Sequence, residues 1–174
     1  MSRILLAWWA LAMLSTPSAL RADDAYAHGL ARLDIAVDGE RLIIEMESPL
    51  ESLVGFEHAP RDARERAAIA QMEATLRDAA RLLQPTPQAG CRPRQVDIEH
   101  PFRKDAQPAQ GRDAEHSEAH ARWSFICDRP QALRSLEVRL FDAFRGLERI
   151  RVQTATPRGQ GRATLTPARR NVAL

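Results

Sequence analysis

Lysine is almost missing from this sequence: Lys104 is the only one, and arginine supplies every other basic residue. Arginine-rich surfaces can grip phosphate, but here the arginines are scattered among acids and read as a solvated face. The formal net charge is +2, and removing residues 1–22 would take away Arg3 and Arg21, leaving 23 basic against 23 acidic residues. A balance near zero excludes recognition of nucleic acid or anionic lipid driven by bulk charge. Long apolar runs are scarce too. The stretch from Ile4 to Leu14 falls well short of the roughly 20 residues that cross a bilayer, and no later segment replaces it, so no membrane span is expected in the mature chain. Catalytic signatures are also missing. There is no G-x-S-x-G, no H-E-x-x-H and no phosphate-binding glycine loop, so the protein is not expected to be an enzyme.

What is present begins with the N-terminus. Met1-Ser2-Arg3, the apolar run to Leu14 and the small-residue exit Ser15-Thr16-Pro17-Ser18-Ala19 have the three parts of an export signal. The expectation is a cleaved signal peptide over residues 1–22 and a single periplasmic domain over residues 23–174, long enough to bury its own core. Cleavage after Ala22 is better spaced from the apolar run. Ala25-Tyr26-Ala27 fits the A-x-A pattern better, and a cut there would make His28 the mature N-terminus. No cysteine lies near the exit, which argues against a lipid anchor. Cys91 and Cys127 are the only cysteines. In an oxidising compartment such a pair is expected to form a disulfide. Two thiolate metal ligands are the alternative, but these normally sit closer together in sequence.

The pattern along the chain indicates an α+β fold: an antiparallel sheet of about six to seven strands backed by one main helix. Leu33, Ile35 and Val37 alternate with polar neighbours, as do Leu42, Ile44 and Met46, and Asp38-Gly39 between them is a hairpin signal. Asp62 with Glu65 marks a helix start. The stripe Ile69, Met72, Leu76, Ala79, Ala80 and Leu83 carries that helix to Leu83, with the stripe read as core rather than as a cofactor lining. Strands follow near 96–100, 121–127, 133–141, 150–154 and 162–165. Residues 101–118 have no apolar period and read as an exposed loop.

Five histidines remain: His28, His58, His100, His116 and His120. His116, Glu118 and His120 are spaced so that a strand would put all three on one face. Imidazole with carboxylate suits Zn²⁺, and His100 or Asp113 could complete that loop site; the alternative is a polar, solvated loop. His28, Glu57 and His58 form a second candidate set, at the margins of the first strand and of an apolar segment ending before Pro60. They either hydrogen-bond at element ends or converge on one ion.

His28-Gly29 leading into Ala31, Leu33, Ile35, Val37 and Asp38-Gly39, then Glu47-Ser48-Pro49, Leu53-Val54-Gly55-Phe56-Glu57-His58, the two cysteines, Val152-Gln153-Thr154 and Leu165-Thr166-Pro167, resemble the ZrgA-like family of zinc-regulated periplasmic proteins. The resemblance runs through nearly the whole mature chain and implies periplasmic Zn²⁺ binding in support of zinc acquisition, with delivery to a zinc uptake transporter or its binding protein. Loops of the family often hold long runs of His, Asp and Glu. Here the loop offers mainly Asp113, Glu115, His116, Glu118 and His120, which weighs against bulk sequestration and leaves open one modest site, or a relative that keeps the fold and has lost part of the function. A metal-free periplasmic adaptor that binds another envelope protein is the second reading.

Overall fold

The computed structural model of the chain describes residues 28–103 and 117–174; the expected signal segment and most of the expected loop lie outside them. Leu30–Asp38 (β1) and Arg41–Pro49 (β2) form the antiparallel hairpin, with Leu33 opposite Met46 and Ile35 opposite Ile44. Asp38 stays in the ladder opposite Arg41, an acid facing a base, so the turn is Gly39–Glu40, one position later than the Asp-Gly pair suggests. Leu50–Val54 (α1) follows Pro49 at once and ends at Gly55.

Ala63–Arg77 (α2) starts where expected, with the Asp62 carboxylate accepting the Glu65 N–H at 2.8 Å. Its buried residues are Ile69, Met72 and Leu76. The helix does not run unbroken to Leu83. Asp78 leaves the helical conformation and accepts the Arg81 N–H at 3.3 Å, opening a separate turn, Ala79–Leu82 (α3). An aspartate within a helical stretch competes for backbone donors in this way.

The remaining elements are β3 (Leu83–Pro85), β4 (Cys91–Glu99), β5 (Glu118–Cys127), β6 (Ser135–Val138), α4 (Leu140–Ala143), β7 (Arg149–Thr156), β8 (Gly159–Leu165) and β9 (Asn171–Ala173). They make a six-stranded sheet in the order β4-β5-β2-β1-β7-β8 and a three-stranded sheet in the order β3-β6-β9. The fold is α+β. Two details refine the expected single antiparallel sheet: β6 belongs to the small sheet, and β1 pairs with β7 in parallel. Both follow from one geometric need. β5 and β7 point the same way, so the chain between them must return along the sheet, and the segment holding β6 and α4 makes that return.

One apolar cluster joins the inner face of the large sheet, the buried stripe of α2 and the small sheet, including Leu33, Ile44, Trp123, Met72, Leu76, Leu136 and Val138. Trp123 is fully buried, and its Nε1–H donates to the Leu76 carbonyl at 2.8 Å, which fixes the end of α2 over the sheet.

β4 is an edge strand, laddered only to β5. Most of its side chains are exposed, Pro93 lacks an N–H for the ladder, and the register shifts between Pro93 and Gln95. The Cys91–Cys127 disulfide joins directly opposed residues of β4 and β5. Unreduced, denatured protein is therefore expected to show no free thiols. The double variant Cys91→Ser/Cys127→Ser should lose about 3–4 kcal/mol in urea unfolding on the chain-entropy model. Hydrogen exchange should accelerate first in β4; uniform acceleration across the sheet would refute this assignment.

Candidate metal centre

Three backbone contacts build the platform. His28 directly precedes β1, and α1 directly follows β2, so the hairpin brings them to one end of the sheet. The Gly29 N–H donates to the buried Ser52 Oγ of α1 at 3.1 Å, and the Gly29 carbonyl accepts from Glu148 and Arg149 at 2.8 and 3.0 Å. Gly29 has φ +75, and a Cβ there would lie 2.9 Å from the Glu148 side chain. On the other side of Ser52, a Cβ on Gly146 would stand 2.5 Å from the Ser52 carbonyl oxygen. At Gly146 only glycine lets the backbone approach α1 so closely, while Gly29 needs glycine for its positive φ.

On this platform His28, Glu51 and Glu57 each present one ligand atom, all within 4.8 Å of one another, the one such group of three among the described residues. His28 Nδ1 lies 2.6 Å from Glu51 Oε2, and the two side chains are 78% and 44% exposed. Glu57 is half-buried. A tetrahedral Zn²⁺ with ligands at about 2.0–2.2 Å separates them by roughly 3.3–3.6 Å. Small rotations of exposed side chains cover the difference, with the ion replacing the proton between His28 and Glu51.

The structure thus joins His28 with Glu57, as the second candidate set anticipates, and adds Glu51. His58 goes elsewhere. Its ring stacks on Phe56 at a centroid distance of 5.2 Å, its Nδ1–H donates to the Ala59 carbonyl at 3.0 Å, and Nε2 lies 3.8 Å from Glu65. Phe56 and His58 turn to one side, which leaves Glu57 to the other. No sequence motif marks Glu51; only its place in the first turn of the helix after β2 does.

Of the loop set, His116 lies outside the described residues, as do Asp113 and Glu115. Glu118 and His120 share the outer face of β5, with Nε2 of His120 3.8 Å from Glu118. Register also sets Glu47 of β2 and Glu99 of β4 on either side of His120, neighbours that spacing along one strand could not reveal. His100 is a structural histidine. It is 5% exposed, its Nδ1 accepts the Phe102 N–H at 3.3 Å, and Nε2–H therefore donates to Glu73 of α2 at 2.8 Å. Partial burial pushes the Glu73 carboxyl up, but the hydrogen bonds from His100 and Arg77 outweigh it and hold the group below the usual carboxylate range.

Among known families, residues 25–174 match the one described as ZrgA family zinc uptake protein. The chain belongs to the ZrgA family. No curated protein matches it. For a ZrgA protein, one imidazole and two carboxylates in an open cluster are a donor set suited to a borderline divalent ion, and no helix among the described residues is long and apolar enough to cross a membrane.

Two outcomes test the framework. Gly146→Ala should push α1 off its neighbour and cost about 1–3 kcal/mol in urea unfolding. Glu73→Gln should lose about 1–2 kcal/mol at neutral pH. Because the folded-state value of Glu73 is lowered, its contribution is present above the unfolded carboxylate pKa and lost as pH falls through the folded value. The gap between Glu73→Gln and parent in pH-dependent unfolding should therefore close on acidification; a gap that widens would reverse the assignment.

Proposed function

We propose that this ZrgA-family chain is an exported, periplasmic zinc-binding accessory protein that captures Zn²⁺ at His28, Glu51 and Glu57 and passes it to a zinc uptake system. The observation that carries the reading is the convergence of those three side chains on an anchored platform at the open end of the sheet. One nitrogen and two carboxylate oxygens leave a fourth position for water or an incoming ligand. The exposure of His28 and Glu51 suits an ion that is handed on, whereas a structural zinc is normally enclosed away from solvent. The chemistry asked of the site is binding and release, and the reading assigns it no turnover.

The adaptor reading draws on a different place, a shallow concavity of about 760 Å³ on the outer face of β1, β7 and β8, lined by Asp34, Ala36, Ile43, Gln153, Ala155 and Arg162. Zinc separates the two readings. In calorimetric titration the mature protein should bind one ion, and His28→Ala or the pair Glu51→Gln/Glu57→Gln should weaken binding by about tenfold or more, the loss of roughly 1.4 kcal/mol. His116→Ala/His120→Ala should leave that ion in place and remove at most a weaker second equivalent. Since proton and metal compete for the same imidazole nitrogen, affinity should fall on acidification. If the loop variant alone abolishes binding, the centre lies at the loop; if the parent binds no zinc, the adaptor reading replaces this one.

A further inference from the structure

The ring nitrogen that His28 turns toward Glu51 is Nδ1, at 2.6 Å. Nδ1 is the nitrogen that can close a small chelate ring with the backbone nitrogen of its own residue; Nε2, across the ring, cannot. Within a chain that backbone nitrogen is an amide, with its lone pair delocalised into the carbonyl. At a chain terminus it is an amine and a good zinc donor. Two further facts bear on this. The residues before His28 read Ala25-Tyr26-Ala27, an A-x-A cleavage pattern. The chain is also pinned from Gly29 onward, through the Ser52 Oγ and the Glu148 and Arg149 N–H groups, so His28 keeps its place without anything upstream of it.

We propose that export processing cuts after Ala27, and that the freed α-amine of His28 joins its own Nδ1, Glu51 and Glu57 in holding Zn²⁺. The cut is a hydrolysis: water adds across the Ala27–His28 amide, the Ala27 carbonyl carbon keeps the hydroxyl, and the His28 nitrogen takes the proton. The terminal nitrogen, an ammonium when protonated, gives up a proton as it binds the ion. Two nitrogens and two oxygens then complete a tetrahedron that three side chains leave unfinished. The inference rests on the zinc reading of this centre and adds to it a donor that exists only after cleavage.

The chain's poverty in lysine makes a direct test available. With Lys104→Arg, the α-amine is the only primary amine of the mature protein. The full chain carrying that substitution is exported, purified from the periplasm, and its N-terminus read by intact mass. It is then treated with an amine-acetylating reagent with and without zinc. A companion chain has one alanine inserted between Ala27 and His28, so that processing leaves an extra residue before the histidine. The expected results are a mature start at His28, protection of the amine by zinc, and zinc affinity at least about tenfold weaker in the inserted chain, because the second donor is no longer tethered to the first. A mature start at Asp23 overturns the proposal. So does a start at His28 with no protection and equal affinities, which would leave zinc on the side chains alone. Absence of zinc binding in both chains would instead overturn the underlying zinc reading.

Discussion

The antiparallel pairings of β1 with β2, β2 with β5 and β5 with β4 decide where the candidate ligands of this molecule lie. With β1 parallel to β7 and antiparallel to β2, the starts of β1, β5 and β7 and the ends of β2 and β4 share one end of the sheet. That end receives His28 before β1, Glu51 and Glu57 after β2, His100 after β4, and Glu118 and His120 at the start of β5. The disulfide takes the other end, where β4 begins and β5 finishes. The disulfide and the candidate ligand cluster are thus separated by the length of the strands, so local motion of those side chains need not loosen the stapled edge.

At the open end the main chain is tied down while the candidate ligands stand partly in water. Gly146 lies against the Ser52 main chain at a distance that no Cβ would permit, and the Gly29 N–H is held by the Ser52 Oγ. Fixing a glutamate side chain costs up to about 2 kcal/mol in rotamer freedom, so holding two on one ion reduces affinity relative to a closed site. Structural zinc sites in small domains gain about 10–16 kcal/mol from the metal and fold with it. This domain keeps a continuous core of its own, which suits the reversible binding proposed for it.

Strand alternation and the Asp62 cap were legible because each is a local rule satisfied within a few residues. The pairing of Cys91 with Cys127 was legible for another reason, since two cysteines leave one intramolecular choice. The parallel neighbour of β1 was not legible, because alternation reports which face of a strand is buried and says nothing of the direction of the strand beside it. The break at Asp78 was hidden because the apolar stripe continues on its far side through Ala79 and Leu82. Two of the three members of the cluster could be read from the sequence, since His28 and Glu57 sit at element margins. Glu51 could not, because its approach to His28 depends on α1 folding back against Gly29 and Gly146.

Net charge was the least informative property of the sequence, and the sheet shows why. Register lines up Glu99, His120, Glu47, Arg32 and Arg151 as one row across the outer face of β4, β5, β2, β1 and β7. Acids occupy one half of that row and arginines the other, so a nearly neutral total conceals a local dipole. Both halves reach the end of the sheet that holds the candidate cluster: Arg32 lies on β1, which His28 precedes, and the Leu50 N–H, next to Glu51, donates to the Ser117 carbonyl, next to Glu118, at 2.8 Å. Arg32 lies 3.6 Å from Glu47, and salt screens exposed charges beyond about 8 Å at physiological ionic strength, so this field does not reach far into solution. It is an arrangement of position that whole-chain charge cannot express.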